Sequence, residues 1–438
     1  MVLYTYIYKN YKRPIYMTNC SESFKIKVLY VTASCLTRNT SANMSHNSYV
    51  QGLLENGASV DIVMASNSWG KQDFALPVFR TATYHEFSSV SFSERLRRLF
   101  HKVETNANHF GKAIRDAETV VDVDRHPTLK QWSRTVLKRI FYLLFPEDPL
   151  YPLEKLWLRQ AVRYKSNVNY DLVVSNSSPA ASHRLVANLI DKKHIRCKRW
   201  VQIWEDPWYH DLYGGHPEAV LCEELSLLQA AQDIYYVSPL TLHYQQQYFP
   251  DCAAKMHFIP LPFLSLDREQ VKSGDSVSFG YFGDYYSRVR NLLPFYEALV
   301  ETGVEANIFG DSDLSLKSTD HVNVSGRVTL DVLQAIQQRT TVLVHLCNLR
   351  GGQIPGKIYH YSATEKPILF IIDGTEEEQE IIKKYFSRYN RYLFCYNDKE
   401  SIISAIKELV NDVNSHQGFV VQEFSPKQVV ATLLEKTV

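Results

Sequence analysis

Short apolar runs of strand length, each followed by a segment of helix length, recur from Phe24 almost to the end of the chain. Strands that alternate with helices pair in parallel, because the chain must cross back over the sheet between one strand and the next. The first unit is KIKVLYVTAS, then a polar loop RNTSANMSH, then a helix through Tyr49, Leu53 and Leu54 closed by Asn56-Gly57, then SVDIVMAS. Further strands are predicted at DLVVSN, RWVQIW, DIYYVS and MHFIP, with helices at AASHRLVANLID and EAVLCEELSLLQAA between them. A second alternation runs through VSFGYFG, EANIFG, TVLVHLC, PILFII and YLFCYN. The predicted fold class is therefore α/β, with two doubly wound, Rossmann-like parallel-sheet domains over 24–261 and 275–418. A proline-bounded, charged connector at 262–274 is the predicted hinge. In the last segment, 419–438, Ser425 is the expected N-cap and Pro426 the first helical residue. Val429, Val430, Leu433 and Leu434 then share one face that needs a surface, which a crossing back to the first domain would supply.

The chain of 438 residues is 45% hydrophobic, enough for more than one core. Its net charge of +1 gives no electrostatic case for nucleic acid as a partner. Seven cysteines stand singly, without a CxxC pair, as in a reduced cytoplasmic protein. No stretch approaches the roughly 18 apolar residues of a membrane-spanning helix. Residues 1–23 read as a disordered leader without signal-peptide features, and Met17 is an alternative start to Met1.

The chemistry concentrates in GGQIPGKIYHYSATEKPILF, Gly351 to Phe370. A Gly-Gly turn, a lone lysine and a Pro-Gly helix start follow the buried run TVLVHLC, at the carboxyl end of a predicted parallel strand, where open α/β sheets bind ligands. Free backbone N–H groups at a helix start and the Lys357 charge both favour a phosphate. This is a candidate nucleotide-diphosphate site.

Four collinear stretches resemble glycosyltransferase family 4, whose members have the GT-B fold of two Rossmann-like domains facing a cleft. SSPAASHRLVANLI is similar to the family's Ser-Ser-Pro-Pro loop and helix, and VQIWEDPWYHDL to its Asp-Pro-Trp stretch at the cleft. YFGDYYSRVRNLLPFYEAL resembles the opening of the C-terminal domain, and IPGKIYHYSATEKPIL the Pro-Ser-Lys-Leu-Phe-Glu-Tyr signature. The resemblance implies that the C-terminal domain holds a nucleotide-diphosphate sugar through Gly283, Arg288, Arg290, Gly352, Gln353, Lys357 and His360. It also implies that the N-terminal domain presents a glycan or lipid-linked acceptor. Departure of the nucleotide diphosphate develops negative charge, which Arg290 and Lys357 are placed to stabilise, with Arg288 nearby. Asp206 is the candidate to orient or deprotonate the acceptor hydroxyl, with Glu205 and His183 as further catalytic candidates and His210 beside them.

Two departures from that family pattern bear on the donor. Members carry a Glu, seven residues and a second Glu that holds the donor ribose; Gly352 and His360 stand there instead. The Gly-Gly pair after the first strand is replaced by Asn39, Thr40, Ser41, Ala42 and Asn43. Histidine still exchanges hydrogen bonds with a diol.

The resemblance implies retention of anomeric configuration without metal or other cofactor, the nucleotide sugar being a substrate, in a setting such as surface polysaccharide biosynthesis. Asp122-Val-Asp124 and Asp311-Ser-Asp313 have the spacing of a metal-binding Asp-x-Asp but not its place, and Asp311-Ser-Asp313 reads as a turn. No GxGxxG follows a strand, and GxxxxGK[ST], GxSxG and HExxH are absent. RHPTLKQWSRTVLKR, Arg125 to Arg139, has five basic and no acidic residues, with Lys130, Arg134 and Lys138 at helical spacing. It is a candidate contact with an anionic membrane, which would place a cytoplasmic protein peripherally on the inner face of the plasma membrane. The alternative function is a catalytically silent GT-B subunit that supports another transferase. A third reading, a nucleotide-sugar epimerase on the same fold, would need a histidine and carboxylate set in the cleft, which the sequence alone does not assemble.

Overall fold

The computed structural model describes residues 26–38, 40–66, 76–89, 150–177, 179–211, 217–264 and 277–437. The leader, the basic stretch 125–139, Asp122 and Asp124, and most of the 262–274 connector lie outside the described residues.

The first sheet holds β1 (Lys27–Val31), β2 (Ser59–Ala65), β3 (Thr83–Phe87), β4 (Asn169–Asn176), β5 (Arg196–Trp204), β6 (Asp233–Tyr236) and β7 (Met256–Phe258). All neighbours are parallel, in the order β3-β2-β1-β4-β5-β6-β7. The second holds β8 (Ser278–Phe282), β9 (Glu305–Phe309), β10 (Val322–Ser325), β11 (Val342–Leu346), β12 (Ile368–Ile372) and β13 (Leu393–Tyr396). These too are all parallel, in the order β10-β9-β8-β11-β12-β13. Helices on both faces explain why central strands such as VLVHL and ILFII are buried along their whole length.

In the first domain the helices are α1 (Ser41–Glu55), α2 (Lys155–Ala161), α3 (Ala181–Asp191), α4 (Glu218–Ala230) and α5 (Pro239–Tyr248). The second carries α6 (Leu293–Thr302), α7 (Leu330–Arg339), α8 (Lys357–Tyr361), α9 (Glu376–Ser387) and α10 (Lys399–Asn411), and α11 (Pro426–Leu434) ends the chain. α1 begins inside the segment expected to be a polar loop. Thr40 caps it by accepting the Asn43 N–H at 3.2 Å, and Asn43, His46, Asn47 and Gln51 are buried where a helix normally shows apolar residues. Two strands went unread, β3 and β10, both at sheet edges and only partly buried.

α11 lies against α1 of the first domain. A Cβ on Gly52 would fall 2.2 Å from the Pro426 carbonyl oxygen, so only glycine allows this approach. Buried Arg199 on β5 donates to the Leu433 carbonyl at 2.7 Å and to Thr437 Oγ1 at 2.9 Å while paired with Asp233. The domains also meet at Gly352, whose carbonyl accepts the Ser238 and Thr241 hydroxyls at 3.1 and 2.6 Å. Tyr359 Oη donates to the Val237 carbonyl at 3.2 Å.

Candidate active site

In the second sheet the strand order reverses between β8 and β11, so their connections leave on opposite sides and open a crevice at the carboxyl ends. That crevice is one wall of a cavity of about 1590 Å³; the other is formed by Thr40, Ser41, Glu205 and Asp206 of the first domain. The turns after β8 and β9 touch. A Cβ on Gly310 would lie 1.9 Å from the Gly283 carbonyl oxygen, which keeps the position a glycine. Gly283 itself opens toward Lys357: a Cβ there would stand 3.6 Å from Lys357 Cε.

Lys357 is half-buried in this wall, and its ammonium has no hydrogen bond or ion pair among the described residues. Loss of water around it pushes its pKa down to about 8; Asp284 opposes the shift, while Arg290 and Arg327 add to it. Arg290 is held in place, Nε donating to Asn348 Oδ1 at 2.7 Å and Nη1 to the Asp284 carbonyl at 3.0 Å. Arg327, just beyond β10, pairs with Asp284 and, at 3.3 Å, with Asp311. Arg290, Arg327 and Lys357 thus share one stretch of the wall with Asp284.

The Gly351-Gly352 turn has φ values of 103° and 73°, which only glycine adopts without strain. Its N–H groups donate to Glu378 Oε1 at 2.8 and 3.2 Å, and Glu378 Oε2 accepts the Thr375 N–H in a capping box. With the Gly352 carbonyl bound to Ser238 and Thr241, both N–H groups and that carbonyl are engaged within the protein. α8 runs for five residues only, so positive charge at this corner comes from Lys357 rather than from a long helix dipole. Gln353 lines the cavity and donates to Asp211 across the domains at 3.4 Å. His360, one turn beyond Lys357, also lines it; burial first, then the Lys357 charge, pushes its pKa down to about 4, leaving a neutral imidazole.

Opposite, the loop after β5 is fixed from beneath. The Glu205 N–H donates to Ser177 Oγ at 3.2 Å, and the fully buried Glu224 of α4 accepts the Trp208 and Tyr209 N–H groups at 3.4 and 2.7 Å. Asp206 is open to the cavity but hemmed by both walls. Loss of water there, and then the Asp211 charge, raise its pKa against the pull of Arg290 of the facing domain, to about 6. Glu205 has an oxygen, Oε1, with no partner, and burial followed by the Asp206 charge holds its pKa well above the usual carboxylate range.

The structure therefore gathers Gly283, Arg290, Gln353, Lys357, His360, Glu205 and Asp206 around one cavity. His183 is elsewhere, in the core of the first domain, with Nδ1 2.7 Å from Ser175 Oγ and its ring 4.3 Å from that of Trp204. Arg288 points to solvent, and His210 lies outside the cavity lining, stacked on Tyr248. Asp313 accepts the Ser287 N–H and hydroxyl, both at 2.7 Å, which ties the loop after β9 to the loop after β8. Arg327, Asp284 and Asn348 were missed; a Gly326-Arg327 pair after the short run VNVS was the available signal. Among the described residues no group of three His, Cys, Asp or Glu side chains converges to hold a metal ion.

No protein-family model and no curated protein matches the chain. Among solved structures it is similar to a glycosyltransferase from Rickettsia africae ESF-5, at 12% identity and a TM-score of 0.51, over 95% of this chain and 98% of that one. A putative UDP-N-acetylglucosamine 2-epimerase from Listeria monocytogenes follows at 11% identity and a TM-score of 0.46, over 94% and 96%. At such identity the first likeness speaks for architecture alone, and the chain has the GT-B fold: two parallel-sheet α/β domains whose carboxyl edges face one cleft.

Proposed function

We propose that this chain is a glycosyltransferase that moves a sugar from a nucleotide-diphosphate donor to a hydroxyl of a glycan or lipid-linked acceptor. The observation that carries the reading is the unpaired, half-buried Lys357 ammonium beside Arg290 at the β8/β11 crevice. A charge that has lost part of its water and is left without a partner is costly, and a diphosphate would neutralise it. Arg290 and Lys357 would then stabilise the charge that grows on the leaving diphosphate. Asp206, on the opposite wall, would fix the acceptor hydroxyl. In a retaining reaction the bond from the anomeric carbon to the diphosphate oxygen breaks, the acceptor oxygen bonds to that carbon on the same face, and its proton passes to the departing phosphate. His360, neutral and inside the cavity, is the candidate to hold the donor ribose hydroxyls in place of the absent glutamate. Membrane association and a role in surface polysaccharide assembly remain part of this proposal; among the described residues no helix is long and apolar enough to cross a membrane.

The test is a thermal-shift series with UDP, GDP, ADP and CMP and their sugar conjugates, with and without EDTA. Stabilisation by one nucleotide diphosphate that survives chelation is expected. Lys357→Ala and Arg290→Ala should each weaken that binding by about tenfold to a hundredfold, as for a lost charge-assisted contact. No shift with any nucleotide would leave the silent-subunit reading in its place.

A further inference from the structure

Beside the cavity mouth, four rings form a row that the donor site does not use. Tyr244 and Tyr248 are one turn apart on α5, their planes 17° from parallel with centroids 6.3 Å apart. His210 stacks on Tyr248 at 3.6 Å and 18°, and Tyr209 meets His210 edge-on at 4.9 Å. Tyr248 keeps 45% of its surface exposed, so the row is open to solvent at that ring.

The row is continuous with the site. Tyr244 packs on Gly352, 2.9 Å from where a Cβ would stand, and the next residue, Gln353, lines the cavity and donates to Asp211. His210 and Asp206 belong to the same loop, which Glu224 pins from below. We propose that Tyr248 and His210 form an acceptor subsite that holds a sugar one or more units away from the residue being glycosylated, so that the preferred acceptor is an oligosaccharide. This rests on the glycosyl-transfer reading above.

The chemistry of the row favours a sugar. A pyranose has one face of C–H bonds and a rim of hydroxyls; the polarised hydrogens match the negative face of an aromatic ring, and Asp211, the residue after His210, is hydrogen-bonded to the cavity-lining Gln353. Burial lowers the His210 pKa, which favours the neutral imidazole in the stack. A row one ring wide lacks the broad apolar centre that a protein interface requires.

Saturation-transfer NMR with maltotetraose, cellotetraose and chitotetraose, and with their monosaccharides, tests the subsite on the full chain. At least one tetrasaccharide should receive saturation from the wild type and from Tyr248→Phe, and its affinity should fall about tenfold in Tyr248→Ala, the loss of one aromatic contact. UDP and GDP thermal shifts should not differ between these proteins. No saturation of any tetrasaccharide by the wild type, or equal affinity in Tyr248→Ala, overturns the subsite. Glycan binding through Tyr248 without stabilisation by any nucleotide diphosphate would keep the subsite and refute glycosyl transfer.

Discussion

The two titrations that frame the cleft run in opposite senses. Asp206 is a carboxyl raised to about 6, and Lys357 an ammonium lowered to about 8. If the first acts as a carboxylate and the second as a cation, kcat/KM, which reports the free enzyme, should rise with pH through about 6 and fall through about 8. In Lys357→Arg the alkaline limb should disappear, because guanidinium does not titrate there; in Asp206→Asn the acid limb should disappear along with much of the rate. A profile in Lys357→Arg that still falls near 8 would assign that limb to another group. The positions of Arg290 and Lys357 on the cavity were legible in the sequence because both follow strong strands, where a loop residue's place in a parallel sheet can be read. Arg327 was not, since the polar run VNVS before it gives no strand signal, and His183 was included for its place after the Ser-Ser-Pro loop, although its side chain turns into the core.

At the scale of elements, the legible strands are those buried on both faces, such as β11 and β12, whereas β3 (TYHEF) and β10 (VNVS) form only edges and need little apolar character. α1 was half hidden for a different reason: its buried Asn and Ser side chains bond to backbone carbonyls, His46 to Tyr30 of β1 and Gln51 to Glu55, so its period does not appear as hydrophobicity. The loop after β5 depends likewise on one buried polar group, Glu224 of α4, whose pKa burial raises to about 7 against the bonds from Tyr209 and Trp208 that lower it. A carboxyl raised on folding keeps its proton where the unfolded chain has released it. Stability from this source is therefore whole below about 4.5 and is lost as pH rises through about 7, a change of order 3 kcal/mol. Glu224→Gln cannot titrate and has only one accepting oxygen for two N–H groups. Its stability deficit in urea denaturation should be largest near pH 5 and shrink by about 2 to 3 kcal/mol by pH 8. A deficit independent of pH would mean that Glu224 is ionised throughout.

For the whole molecule, the decisive feature is that the last helix does not complete the domain that precedes it in sequence but the first one. Val429, Val430, Leu433 and Leu434 are all buried on α1 and its neighbours, and Arg199, inside the first domain, has two of its partners in the chain's last residues. Four such side chains contribute roughly 1.5 to 3 kcal/mol each, a sum that approaches the entire net stability of an ordinary domain. A chain ended after Ser425 should therefore lose the first domain's folded state, seen as loss of its cooperative melting transition, while Gly52→Ala, which drives a methyl into the Pro426 carbonyl, should lower that transition without abolishing it. Nucleotide-diphosphate affinity gives the complementary reading, because Arg290, Lys357 and Gly283 all belong to the second domain. In Gly52→Ala that affinity should persist while turnover falls, because in the proposed reaction an acceptor held at Asp206 would meet the donor only with α11 and the Gly352 clasp holding the two walls together. Full turnover in Gly52→Ala with an unchanged melting transition would show that α11 does not set the spacing of the cleft.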